Sequence, residues 1–240
     1  MGHETTHARV YRLLRQQLMS GDYLPGSSLS IRFVSETFDV SATPVREALK
    51  RLESQYALTK GPGRTMIVPQ LSLGELKDMR DIRLNLEGLL AAKAAERATT
   101  EEVDEIANIC SQMETAINER HLDEYFRLNA DFHRAVYVAS KAEVAIGFVD
   151  SLWMRAGPYM RLPVAAKSES GFSEGRRLPM ECHWACTDAL RRRDPESARK
   201  SIETDIWTAS ARTLEHLAEQ SRTQLDGVIP QFTLRRAHDA

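Results

Sequence analysis

VSATPVREALKRLE, Val40 to Glu53, is the stretch on which the fold turns. Ser41 and Thr43 are residues whose side-chain oxygen can cap a helix. Pro44 suits a first turn, because its missing N–H would have no partner there in any case. Val45, Leu49 and Leu52 follow at helical spacing, which predicts an amphipathic helix over about 43–54 with Arg46 in its first turn. Working outward, Ser30 can cap a short helix over 31–38 with Val34 and Phe38 facing inward, and Asp39-Val40-Ser41 is the turn between the two. Upstream, Val10, Leu13, Leu14 and Leu18 mark a helix over about 8–20. GDYLPGSSLS breaks it, with Leu29 in a short strand. Downstream, ALTK, GPGR and TMIV read as strand, tight turn, strand.

Helix, helix, turn, helix and a two-stranded wing is the order of a winged helix-turn-helix. In that arrangement the last helix enters the major groove, and its first residues meet base edges. Arginine pairs with guanine O6 and N7, so Arg46 stands where a base contact is needed. The wing tip Gly61-Pro62-Gly63-Arg64 is short and basic, and its glycines let the backbone approach phosphate. Arg32, near the start of the preceding helix, suits a phosphate contact. The competing reading is a helical dimerisation arm with a hairpin, in which Arg46 is a solvated charge.

Bulk properties set the frame. The chain has 240 residues, enough for one large domain or two smaller ones, and its 42% hydrophobic and 28% charged content is ordinary for a globular protein. No stretch reads as a membrane span or a secretory signal. Three cysteines, an odd number, argue against a disulfide framework and fit a reducing cytoplasm. The first 70 residues hold nine Lys/Arg against six Asp/Glu. The whole chain is −2, so the remainder carries −5. A basic head on an acidic body suggests two separate jobs.

From about residue 71 everything reads as helix, predicting an all-α antiparallel bundle. Leu73, Leu76, Met79, Ile82, Leu86, Leu89 and Leu90 make one stripe on a helix over about 73–97. Further helices fit 100–118, 121–139, 143–167, 173–192 and 195–219, with a kink expected at Gly157-Pro158. The expected division is a DNA-binding head over 1–70, an all-helical domain over 71–220, and a C-terminal tail over 221–240, where periodicity is weak. The fold class is therefore mostly α, with one small β-hairpin.

Polar residues on apolar faces point to a site inside the bundle. Asn129 and His133 are four apart and share a helix face. His183 lies on another helix, and Asp205 falls among Ile202, Ile206 and Ala209. An acid in an apolar stripe is costly unless it is paired or bound to metal. Two imidazoles, a carboxylate and an amide oxygen from three helices could hold one divalent cation. The bland alternative is a set of hydrogen-bonded core residues. Arg83, flanked by Met79, Leu86 and Leu90, is either an anchor for a ligand carboxylate or the partner of Glu87. Arg155, Tyr159 and Arg161 gather at the expected kink. Trp153, Trp184 and Trp207 read as core or pocket wall.

PG-x-x-L at 25–29, then VSATPVREALKRLE and a GPGR-tipped hairpin, resembles the winged-helix domain of GntR-type bacterial transcription regulators. DIRLNLEGLLAAKAA at 81–95, NADFHRAV at 129–136 and CHWACTDALRRRDPESA at 182–198 resemble the FadR-type effector domain. The likeness implies a homodimer that binds double-stranded operator DNA through Arg32, Ser41, Thr43, Arg46, Gly63 and Arg64. It implies a helical effector-binding and dimerisation domain that takes a small carboxylate metabolite, for which Arg83, Arg155 and Tyr159 are the candidate contacts by their positions. It implies a divalent metal (Zn, Ni or Mn) on Asn129, His133, His183 and Asp205. Three positions depart from the pattern. Ala42 stands where arginine is frequent, Asp205 where a third histidine is usual, and Ala142 near a customary asparagine.

The reading that follows is a cytoplasmic, ligand-responsive transcription regulator, with repression relieved by ligand, and not an enzyme. The rival is a metal-dependent enzyme with an accessory DNA-binding domain, in which His133, His183 and Asp205 would activate water. No HExxH pattern supplies it with a base. A third is an architectural DNA binder with a purely structural bundle, which has no need of inward polar residues.

Overall fold

The protein is described by a computed structural model giving the backbone of residues 4–63, 65–165 and 170–228, and the side chains of these outside 164–178 and 223–228. In the head, α1 (Thr6–Met19) buries Val10, Leu14 and Leu18. β1 (Ser28–Ser30) runs straight into α2 (Ile31–Phe38), whose first turn is closed by the Phe33 N–H donating to Ser30 Oγ at 3.0 Å. Asp39 ends that helix at φ 50, in the left-handed region that an aspartate tolerates. α3 (Ala42–Ser54) buries Val45, Ala48, Leu49 and Leu52. Ser41 is its N-cap residue, yet no side-chain oxygen caps the helix, so the cap bond expected from Ser41 or Thr43 is absent. Both side chains are exposed instead.

The wing is larger than the sequence suggested. β2 (Thr59–Lys60) and β3 (Thr65–Ile67) form the hairpin, and β1 adds to the other edge of β3, giving an antiparallel sheet in the order β1-β3-β2. Leu29 and Lys60 both stand opposite Met66. Leu29 is fully buried, so the strand that begins α2 also ties the wing to the core.

The remaining helices are α4 (Leu73–Arg97), α5 (Thr100–Asn118), α6 (Leu122–Ala139), α7 (Glu143–Met160), α8 (Leu162–Ala165), α9 (Ser170–Arg191) and α10 (Pro195–Val228). α4 and α5 begin with reciprocal caps, Ser72 with Glu75 and Thr99 with Glu102. α4 lies along α10, α9 lies beside α10 and α5, and α5 packs on α6. Trp153, Tyr137, Phe132 and Leu90 fill the centre, and each such side chain taken from water contributes about 1.5–3 kcal/mol.

Three expectations change. The apolar stripe of α4 splits: Leu76, Met79 and Leu90 are buried, whereas Ile82 and Leu89 face outward on a helix flanked on two sides. The helix expected over 143–167 ends at Met160, just past Pro158, and α8 follows separately. Proline removes one backbone donor, so the last turn of α7 is held by fewer bonds. α10 runs to Val228, beyond the 219 expected, and the rest of the tail, 229–240, lies outside the described residues. Among the described residues no helix is long and apolar enough to cross a membrane.

Candidate metal centre and nucleic-acid interface

α6 carries Asn129, His133 and Tyr137 on one face, each a turn apart, and all three are buried. α9 supplies His183, fully buried, and α10 supplies Asp205, almost so. Ligand atoms of His133, His183 and Asp205 lie within 4.8 Å of one another. His133 Nε2 is 3.1 Å from Asp205 Oδ2, and His183 Nε2 is 3.6 Å from Asp205 Oδ1. Neither ring nitrogen of His183 has a hydrogen-bond partner, and the amide nitrogen of Asn129 has none either.

A second layer fixes how His133 is protonated. Tyr137 donates its hydroxyl proton to Glu87 Oε2. The 3.0 Å contact between His133 Nδ1 and the Tyr137 oxygen therefore has the ring N–H as donor. His133 Nε2 is then a bare lone pair, facing a carboxylate oxygen that also bears only lone pairs. Two acceptors at that separation need a proton or a cation between them. Burial pushes the His133 imidazolium down, and Asp205 recovers only part of this. Burial alone would push the Asp205 carboxyl up, but His183 and His133 beside it outweigh burial and hold it well below the usual range. An ionised carboxylate between two imidazoles, one with both nitrogens orphaned, fits a divalent cation.

Glu87 organises the surroundings. It accepts from Arg83 Nε at 2.5 Å and Trp153 Nε1 at 3.1 Å, as well as from Tyr137. The internal pair that the sequence left open for Arg83 is thus formed. Burial opposes the Arg83 charge, but Glu87 outweighs it. Arg83 nonetheless lines a cavity together with His133, Asp205, Tyr159, Met79 and Ile206. Arg155 is elsewhere: it lines an open groove with Tyr56, Ile82, Leu89 and Phe148. Tyr159 does line the cavity. Of the tryptophans, Trp153 is core, Trp184 donates to Glu114, and Trp207 is 52% exposed under the Arg80 guanidinium.

Tyr137 and Arg80, which also reaches the cavity, were missed in the sequence, and Glu87 was foreseen only as the partner of Arg83. Tyr137 had a usable signal, since it stands four residues after His133. Arg80 had none, because its place depends on how α4 meets α10.

In the head, Arg46 projects from the first turn of α3 into solvent, and no hydrogen bond or ion pair holds it among the described residues. Lys50 is exposed one turn further on, whereas Arg51 lies over the Tyr11 ring at 3.8 Å. Arg32 pairs with Glu36 at 2.8 Å on the surface, a contact weak enough for phosphate to displace. Gly63 has φ 67 at the exposed wing tip, a conformation that favours glycine. Arg64 lies outside the described residues.

Known proteins share both halves. Residues 6–68 match the family described as bacterial regulatory proteins, gntR family, and residues 78–207 match the FCD domain. The HTH-type transcriptional regulator McbR of Escherichia coli is 28% identical over 202 residues, spanning 84% of this chain and 90% of that protein. The gluconate operon transcriptional repressor of Bacillus licheniformis is 23% identical, spanning 82% and 81%. A solved structure of E. coli McbR/YncC superposes with a TM-score of 0.75 at 25% identity, over 92% of this chain and 99% of that one. With a winged head and an FCD domain in one chain, this protein belongs to the gntR family of bacterial regulatory proteins, which are transcription regulators and not enzymes.

Proposed function

We propose that this regulator is a homodimeric repressor whose operator affinity is set by a small carboxylate metabolite bound in the FCD cavity beside a divalent metal. The observation that carries the reading is the fully buried His183, neither ring nitrogen hydrogen-bonded, beside Asp205, which itself lines that cavity. Asn129, His133, His183 and Asp205 would hold the ion. When bound, the ion offers open positions to a carboxylate. Arg83, kept in place by Glu87, adds positive charge to the wall, and Met79 and Ile206 favour an apolar body on the ligand.

Residues 1–70 would act as the head, 71–220 as the effector domain and 221–240 as a tail. The family matches at 6–68 and 78–207 fall inside the first two bounds, which supports the division. Arg46 would read a base edge while Arg32, Ser41, Thr43, Gly63 and Arg64 hold backbone phosphates. Repression is the simpler assignment, given the repressor among its relatives. A regulator that binds operator DNA would act in the cytoplasm.

The dimer face we assign to the open groove. Tyr56, Ile82 and Phe148 are 73%, 53% and 67% exposed there. Asp81 and Arg155 line the same groove, and Arg155 Nε is buried without a hydrogen-bond partner. A two-fold mate would bring an Asp81 against each Arg155, a self-complementary match of charge.

The test is an operator titration. Duplexes are selected by the protein from a random pool, and affinity is measured with and without manganese, nickel or zinc and a panel of small carboxylates. One carboxylate should weaken binding by at least fivefold only when metal is present. Constant affinity across the panel would refute regulation through the cavity by any ligand of this class.

A further inference from the structure

α7 is a wall shared by the cavity and the head. Toward the cavity it presents Ala156, Tyr159 and Met160. Its C-terminal turns also grip the DNA-binding domain. A Cβ added to Gly157 would stand 2.3 Å from the Leu18 carbonyl oxygen and 2.6 Å from that of Met19, so only glycine lets α1 approach this closely. Arg161 Nε donates to the Ser20 carbonyl at 2.9 Å, and its guanidinium pairs with Asp22 at 2.6 Å and with Asp123. Ser151 donates to the Gln55 carbonyl at 2.9 Å, and Arg15 pairs with Asp150 at 2.5 Å.

Tyr159 joins the two roles in one side chain. Its ring lines the cavity that holds His133 and Asp205. Its hydroxyl accepts from the Leu71 N–H at 2.6 Å and donates to the Pro69 carbonyl at 3.1 Å. Pro69 to Leu71 is the connection between β3, the last element of the head, and α4, the first of the bundle. One phenol therefore satisfies two backbone groups of the linker. Both bonds fail if the ring moves by about 1 Å, because hydrogen-bond lengths span only a few tenths of an ångström. The backbone ladder around Tyr159 is thinned, since Pro158 supplies no backbone donor and the helix stops at Met160.

We infer that Tyr159 is a positioning residue that reports cavity occupancy to the head: an occupant pressing on its ring releases the linker at Pro69 and Leu71 and frees the two recognition helices from a fixed spacing. This rests on the reading that the cavity takes a ligand, and it names how that ligand would be sensed.

The test supplies an occupant of known identity. Ser210, half-buried on the cavity wall, is replaced by cysteine and alkylated with iodoacetamide. The native cysteines are all buried and do not compete. Hydrogen exchange is then followed in a peptide covering residues 69–73. The adduct should speed exchange there at least tenfold over unmodified Ser210→Cys protein. Tyr159→Phe, which keeps the ring, should reach the same rate without the adduct, and adding the adduct to it should change nothing further. Equal rates with and without adduct, or the same increment in the phenylalanine background, would overturn the proposal. Should Tyr159→Phe not fold, the labelled and unlabelled Ser210→Cys proteins decide alone. Loss of the effector reading looks different: no metal or carboxylate raises the melting temperature, while the adduct still moves the linker.

Discussion

His133 and Asp205 face each other across 3.1 Å from α6 and α10, with the imidazole proton turned away toward Tyr137. Two lone-pair atoms so placed, deep in a bundle, are arranged for a cation between them. A divalent cation between them would offset the cost of burying them.

The second layer should matter nearly as much as the ligands. Tyr137→Phe removes the acceptor that fixes the His133 tautomer and one of the donors to Glu87. Zinc affinity, measured by competition with a chelator, should fall by about 10–100-fold with the helical content unchanged. Affinity equal to wild type would mean that Tyr137 serves packing alone.

Arg46→Ala should cost roughly 1–3 kcal/mol of specific DNA binding and relax preference at one base position, with no change in melting temperature, because the side chain is exposed and makes no hydrogen bond or ion pair among the described residues. Arg32→Ala should weaken binding evenly across sequences and lower the salt slope by about 1. Binding of selected duplexes by anisotropy distinguishes the two. An Arg46→Ala protein with full specificity would move base reading elsewhere.

The dimer face predicts a simple failure. Phe148→Glu, in the middle of the exposed apolar groove, should leave the bundle folded and convert dimer to monomer in light scattering, since a buried charge without a partner is severely unfavourable. A Phe148→Glu dimer of unchanged affinity would place the interface on another surface.

Alkali should destabilise the fold through its thiols. Burial pushes the Cys110 thiol up from 9.0 to about 12, and Cys182 to about 11. Below about 9 both states hold the proton, and the contribution to stability is intact. Between 9 and 12 the unfolded chain releases protons that the native chain keeps, so stability falls as pH rises, by about 1.4 kcal/mol per pH unit for each fully shifted thiol. Urea midpoints between pH 8 and 10.5, compared with Cys110→Ala, measure the slope. The same burial predicts that a thiol reagent leaves the native protein unlabelled at pH 8.

Much of this was legible in the sequence, and the boundary has a physical cause. α2 and α3 were readable because their signals are local: a serine cap, a proline in the first turn and apolar residues at helical spacing. The gathering of His133, His183 and Asp205 could be anticipated since each is a polar group on an apolar face, which demands a partner. Ile82 and Leu89 misled, because an apolar stripe does not say whether the neighbour it awaits is in the same chain. The bonds of Tyr159 to the linker join positions 88 and 90 apart in the chain, and no spacing rule reaches so far. The partnership of Glu87 with Trp153 is hidden for the same reason.

The central claim is that metal and carboxylate share one site in the FCD domain. The most direct measurement is the melting temperature of metal-stripped protein, reloaded with manganese, nickel or zinc and titrated with citrate and smaller carboxylates, alongside a His133→Ala/His183→Ala variant. The account predicts stabilisation of wild type by metal, a further rise with one carboxylate that needs the metal, and neither in the variant; saturation at 100 times Kd corresponds to about 2.7 kcal/mol. A carboxylate that stabilises both proteins equally without metal, or a variant that keeps its metal, would contradict it.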